Sequence, residues 1–164
     1  MNHPFHIDYL AHHRTLIPEI AALSYGEWRA LFEAAGISQA MLEAILAERA
    51  VTDAIPVTMV ALRDGALIGT GSIKLAEPGT RPGLSPWLAG IFIKPDERGS
   101  GVGAAIVGAL EAHAARLGIS AMYLSVGKVP GFYARLGWSV VDRVDSYGVK
   151  EVTLMTKALA PAAE

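Results

Sequence analysis

One segment constrains the fold more than any other. The apolar run Trp87-Leu88-Ala89-Gly90-Ile91-Phe92-Ile93 is followed by Pro95 and by Glu97-Arg98-Gly99-Ser100-Gly101-Val102-Gly103-Ala104, with glycine at every second position from Gly99. Val102, Ile106, Leu110, His113 and Leu117 then recur at helical spacing, and Gly118 stands where a helix stops. Ala121–Val126 reads as a strand again. Two strands joined by a helix lie parallel in one sheet, because a tight turn cannot connect them. The continuous apolar run predicts a first strand buried on both faces.

The flanking segments predict antiparallel neighbours. Pro56–Leu62 and Leu67–Leu75 are apolar strand patterns joined through Asp64-Gly65, a hairpin signal. Trp138–Val144 and Glu151–Met155 read as two closing strands. Phe5–His12 reads as an opening strand. Thr15 is a candidate cap, and Pro18 suits a first helical turn, with a break expected near Gly26. Ser38 caps a second helix with a Met41, Leu42, Ile45, Leu46 stripe. Pro130–Leu136 is a short helix closed by Gly137. The element order β-α-α-β-β-β-α-β-α-β-β predicts an α/β (α+β) fold: a mixed, mainly antiparallel sheet with helices on both faces, in one domain over residues 1–164. Glu77–Pro86, with three prolines and two glycines, is a loop and the candidate substrate-facing segment.

Composition narrows the chemistry. The chain has no cysteine, which removes disulfides, thiolate metal sites and a cysteine nucleophile. A net charge of -2 argues against a nucleic-acid partner. No apolar run reaches membrane-spanning length, and the N-terminus lacks a signal pattern, so a cytoplasmic setting is expected. His3, His6, His12 and His13 have no spacing that fixes a coordination geometry, and no metal is expected.

A glycine turn that opens a helix offers unpaired N–H groups at the positive end of the helix dipole, which is an anion site. The Walker pattern is absent, since no lysine follows the glycines. The dinucleotide pattern G-x-G-x-x-[GA] is formally met by Gly99, Gly101 and Ala104, but the next strand ends Ser125-Val126-Gly127-Lys128, without the acidic ribose ligand. A tight turn with close helix–sheet packing also stays open, and a further reading, a diphosphate cradle for coenzyme A, is what a family resemblance implies.

Arg98-Gly99-Ser100-Gly101-Val102-Gly103 matches R/Q-x-x-G-x-G/A, and Phe132-Tyr133-Ala134-Arg135-Leu136-Gly137-Trp138 resembles F/L-Y-x-x-L-G-F/W. With Pro95 between strand and loop, and the hairpins in matching order, the chain resembles the GNAT superfamily of acetyl-CoA-dependent N-acetyltransferases from about Pro56 to Leu159. The resemblance implies acetyl transfer from acetyl-CoA to a primary amine through direct attack. It implies that Ile91, Phe92 and Ile93 meet the pantetheine arm, with the Phe92 or Ile93 N–H facing the thioester carbonyl. The diphosphate then lies on Gly99, Ser100, Gly101, Val102, Gly103 and Ala104, beside Arg98. Val102 and Ile106 side chains are core. Tyr133 matches the family's general acid. Glu77 is the leading candidate base, and Asp145 the second. The asparagine that family members often carry after the fifth strand is missing, and Lys128 is the substitute candidate near the diphosphate or ribose phosphate.

The acceptor is expected to be a small-molecule amine, bounded by Trp87, Tyr25, Trp28 or Tyr147. A protein or peptide acceptor and a non-catalytic acyl-CoA sensor are the alternatives. The last strands leave room for a homodimer.

Overall fold

The computed structural model describes residues 4–77, 80–127, 130–146 and 149–162. Asp64 and Gly65 both adopt positive φ, 52° and 78°, the conformation a two-residue hairpin turn requires. They join β2 (Val57–Arg63) to β3 (Ala66–Lys74) in antiparallel register, Val57 opposite Ile73 and Val60 opposite Thr70. β1 (Phe5–Tyr9) pairs on the outer side of β2. β4 (Trp87–Ile93) pairs antiparallel with β3 and passes through α4 (Val102–Arg116) into β5 (Ala121–Val126), its parallel neighbour. β7 (Val149–Ala158) inserts between β5 and the edge strand β6 (Ser139–Ser146), giving the order β1-β2-β3-β4-β5-β7-β6. A single parallel pair in a seven-stranded sheet is the mixed, mainly antiparallel arrangement that the sequence predicts. It is not the parallel sheet of a dinucleotide fold.

Alternation along β2 divides the interior. Val57, Met59 and Ala61 face α4, where Val102, Ile106, Val107, Leu110 and Ala114 fill one core. Val60 and Leu62 face the opposite way, against Leu10, α1 (Ile17–Glu27) and α3 (Gln39–Glu48). A strand buried on both faces has no polar positions, which is why VTMVAL carries only Thr58; its hydroxyl bonds Ser72 at 2.7 Å. On β3, Gly69 and Gly71 leave the space that Ile106 fills. His113, on the α4 stripe, is a satisfied core residue. It bonds Tyr9 Oη through Nδ1 and the Ala54 carbonyl through Nε2, each at 2.8 Å.

The N-terminal region departs from the sequence reading. β1 ends at Tyr9, and Leu10–His12 forms a 3-10 turn that drops Leu10 into the core. Asp8 explains the stop, since its carboxylate accepts from the Tyr9 N–H and bonds His12 and His13, all at 2.7–2.8 Å. Burial works against this carboxylate, but these bonds outweigh it and hold its pKa below the ordinary value. Thr15 lies within a second 3-10 turn and caps nothing, whereas Ser38 accepts from the Met41 N–H at 3.1 Å as expected. The helix breaks at Trp28 rather than at Gly26: Trp28 leaves helical geometry (φ -119°, ψ 34°), and α2 (Arg29–Ala34) starts after it. Tertiary packing of the indole on Phe92 outweighs glycine's weak helix propensity at this point.

Candidate active site

β4 is not buried along its whole length. Trp87 and Leu88 are buried, but Gly90 is exposed, and Ala89, Ile91 and Ile93 are half-buried. The cause is a divergence of strands. Trp87 opposite Tyr123 is the one register pair between β4 and β5, supported by Tyr123 N–H donating to the Pro86 carbonyl at 3.1 Å. Beyond it β5 stays with β7 as far as Val126 opposite Thr153, and β4 follows β3. Between the pairs Ser72–Ala89 and Thr70–Phe92, β3 has one residue and β4 has two, Gly90 and Ile91. This is a bulge with glycine at φ 64°, a device that bends a strand away from its neighbour.

The bulge and the divergence leave a free backbone edge. Lys94 N–H donates to the Ile68 carbonyl at 2.9 Å. Backbone groups alternate along a strand, so Phe92 also turns toward β3, to Thr70. Ile91 and Ile93 turn the other way, into the gap that β5 has left. Of the two N–H groups singled out from sequence, it is that of Ile93 that faces the gap.

The N-terminus of α4 lies beside this edge. Its N-cap is Gly101 at φ 88°, which has no capping side chain. The first helical bond runs from Ala105 N–H to the Gly101 carbonyl at 3.0 Å, so the N–H groups of Val102, Gly103 and Ala104 lack helical acceptors. No acidic side chain occupies the first turn. Ser100 Oγ bonds the Glu97 carbonyl, and the space in front of Gly99 and Gly101 is open. Three aligned donors at the positive end of a four-turn helix, uncapped and unobstructed, fit a diphosphate. Val102 and Ile106 side chains are buried in the core, as expected.

α5 (Pro130–Arg135) closes the same corner. A Cβ at Gly103 would lie 3.2 Å from the Phe132 ring, so the missing side chain is what lets α5 dock on α4. Tyr133 packs edge-on against Phe132 and Trp138 at centroid distances of 4.9 and 6.4 Å. Burial pushes its phenol up to about 12. The tyrosine is thus neutral and proton-bearing across the physiological range.

The other side of the gap is built differently. Ile91 and Ile93 direct their side chains toward Gly71, Gly69 and Gly103 on the α4 face. Phe92 points the opposite way and meets Trp28 edge-on at 6.3 Å. Arg98 joins them: its Nε donates to the Ile93 carbonyl at 3.0 Å, and its guanidinium lies 6.0 Å from the Phe92 ring centre. Sequence reading placed Arg98 at the diphosphate, and its Nε bond holds the side chain at the β4 edge, beside the glycine turn. The loop before β4 folds over Trp87, whose Nε1 donates to the Leu84 carbonyl, and Arg81 reaches across to Asp142 on β6. The Arg81–Asp142 link was not legible in the sequence, since it joins residues 61 apart along the chain.

Glu77 is held in an ion pair with Lys74 at 3.1 Å, and both side chains are largely buried. Burial lowers the Lys74 pKa, and Glu77 opposes the shift. Lys74 stands opposite Trp87, four β3 residues from Thr70, the partner of Phe92. That is about 13 Å along the strand. Asp145 lies on the exposed edge strand β6. Tyr25 stacks on Phe32. Lys128, Tyr147 and His3 lie outside the described residues. Among the described residues, no group of three or more His, Asp or Glu is placed to hold a metal, and no helix is long and apolar enough to cross a membrane.

A family model described as the acetyltransferase (GNAT) family matches residues 20–138. No curated protein matches the sequence. Among solved structures, an aminoglycoside 6'-N-acetyltransferase complexed with coenzyme A is 15% identical and superimposes with a TM-score of 0.74, over 97% of this chain and 99% of that one. The PaiA N-acetyltransferase of Thermoplasma acidophilum, in complex with coenzyme A, is 19% identical, with a TM-score of 0.66 over 94% and 99%. The ribosomal-protein-S18-alanine N-acetyltransferase of Escherichia coli is 16% identical, with a TM-score of 0.64 over 98% and 97%. At these identities the likeness is one of fold.

Proposed function

Because the chain belongs to the acetyltransferase (GNAT) family, we propose that this acyltransferase moves an acetyl group from acetyl-CoA to a primary amine of a small molecule, by direct attack in a ternary complex. The observation that carries the proposal is the uncapped α4 N-terminus beside the free edge of β4. Bound acetyl-CoA would supply an activated thioester. Val102, Gly103 and Ala104 N–H groups hold its diphosphate. The free backbone groups of Ile91 and the Ile93 N–H continue the β4 ladder along the pantetheine arm. The Ile93 N–H donates to the thioester carbonyl oxygen and stabilises the negative charge that develops there on attack.

Tyr133 serves the leaving sulfur. A phenol near 12 donates a hydrogen bond to a developing thiolate rather than yielding its proton outright, since a thiol ionises near ~8.5. The amine must arrive neutral, since Glu77, tied to Lys74 at 3.1 Å, is not poised to take its proton. With the cofactor seated on the α4 side, the acceptor enters from the opposite face, past Trp28 and Phe92.

The test is a thermal shift of the protein with acetyl-CoA, CoA and NAD in parallel. A ligand at one hundred times its Kd stabilises by ~2.7 kcal/mol. A rise with both CoA species and none with NAD supports the proposal, and an unchanged Tm with acetyl-CoA overturns it. Thiol release with an amine panel then separates a transferase from a non-catalytic sensor. The assay has no background from a chain without cysteine.

A further inference from the structure

We infer that Arg63 is a positioning residue for the cofactor: through its ion pair with Glu97 it fixes the lead-in to the glycine turn, so that the diphosphate meets donors already in place. The inference rests on reading that turn as the seat of the diphosphate.

The turn cannot locate itself. Gly99 and Gly101 both stand at positive φ, 79° and 88°. No neighbouring atom lies within 4 Å of where a Cβ at either position would be, so no packing holds them. Glycine also has the most backbone freedom to lose on ordering. On the far side α4 fixes the chain. On the near side stands the short 3-10 turn Pro95–Glu97. The geometry of the donors therefore depends on what holds Glu97.

Three bonds meet at that residue. Its N–H donates to the Lys94 carbonyl at 2.8 Å. Its carbonyl accepts from Ser100 Oγ at 2.5 Å, which draws the chain together across Gly99. Its carboxylate accepts from Arg63 Nη2 at 2.9 Å, a link across 34 residues. The first two bonds are local and move with the loop. The third ties the loop to the sheet.

Arg63 is itself a firm anchor. It is the last residue of β2, opposite Phe5 on β1 and Ala66 on β3. Its guanidinium lies 5.6 Å from the Phe5 ring centre. The Arg63 and Glu97 side chains are only 15% and 20% exposed. An ion pair in the open contributes little, but one shielded to this degree is less screened, and its charge-assisted bond holds a defined geometry. Lys94 is held separately, by the Ile68 carbonyl and by Glu19, and those bonds fix the end of β4 rather than the turn.

The experiment compares the native chain with Arg63→Gln, Arg63→Lys, Glu97→Gln and the double Gln variant. CoA is titrated by calorimetry. Pantetheine, which lacks the diphosphate and the nucleotide, is titrated by ligand-observed NMR. Far-ultraviolet circular dichroism confirms that each variant is folded. The expected result is a Kd for CoA raised roughly five- to thirtyfold in each Gln variant, the equivalent of ordering one backbone residue on binding. The double variant is no weaker than either single one, because both changes remove the same pair. Arg63→Lys loses less, and the Kd for pantetheine moves less than twofold throughout. Variants that bind CoA like the native chain overturn the inference, and so do losses that add in the double variant. An equal loss for CoA and pantetheine also overturns it, since the pair then supports the fold and not the diphosphate seat. A native chain that binds no CoA is a failure of the acetyl-CoA reading itself, and the inference falls with it.

Discussion

Phe132 occupies the place of the side chain that Gly103 lacks: a Cβ there would sit 3.2 Å from the Phe132 ring and 3.7 Å from Ile93 Cγ1. One glycine thus sets the distance between the helix that offers anion donors, the helix that carries Tyr133 and the strand edge that offers the N–H of Ile93.

Gly103→Ala is expected to displace α5 by a few tenths of an ångström, and Gly103→Val by more. The expected result is a fall in kcat/KM of about tenfold for alanine, because positioning errors of ~1 Å can cost a hundredfold. The fold is retained. Steady-state kinetics beside far-ultraviolet circular dichroism checks this. Unchanged kinetics in Gly103→Val would show that α5 does not position the chemistry.

Gly71 lets β3 and α4 approach closely. A Cβ there would lie 2.6 Å from Ile91 Cδ1, 2.7 Å from Ile106 Cγ2 and 3.1 Å from Leu110 Cδ1, and the last two residues are fully buried. Overpacking of this kind costs about 1–3 kcal/mol. Gly71→Ala should therefore lower Tm by roughly 3–10 °C for a chain of this size, as read by calorimetry.

Tyr133→Phe is expected to reduce kcat by about a hundredfold, the lower end for a positioned proton donor, with little change in the KM for acetyl-CoA. The pKa of the phenol is raised to about 12, so the folded protein favours the neutral form. The stability this residue contributes is whole below the unfolded value near ~10 and is lost as pH climbs from there through about 12. The rate profile should accordingly show no Tyr133 limb below about pH 10. Stopped assays from pH 6 to 10 test this.

Glu77→Gln separates structure from catalysis. It removes the counter-ion from a largely buried Lys74, and breaking such a pair costs roughly 3 kcal/mol. The expected outcome is a lower denaturation midpoint with kcat changed less than threefold. A kcat loss of a hundredfold together with loss of the acidic limb of the rate profile would instead make Glu77 the base.

Much of this protein is local and was legible in its sequence. The Asp64-Gly65 turn, the Ser38 cap, the Trp87–Ile93 and Ala121–Val126 strands and the α4 stripe follow from short-range sterics, hydrogen bonding and periodicity. So do the N–H groups left without helical acceptors at the start of α4, because the first turn of a helix exposes them wherever the helix is packed. Tertiary structure alone decided that β4 parts from β5 after Trp87, that Gly90 bulges, that the Ile93 N–H faces the gap and that Arg98 lies over Phe92. An apolar strand next to a helix does not say which neighbour it keeps, and a long side chain does not say which face it takes. Those choices are made by contacts between residues far apart along the chain, where packing outweighs local preference.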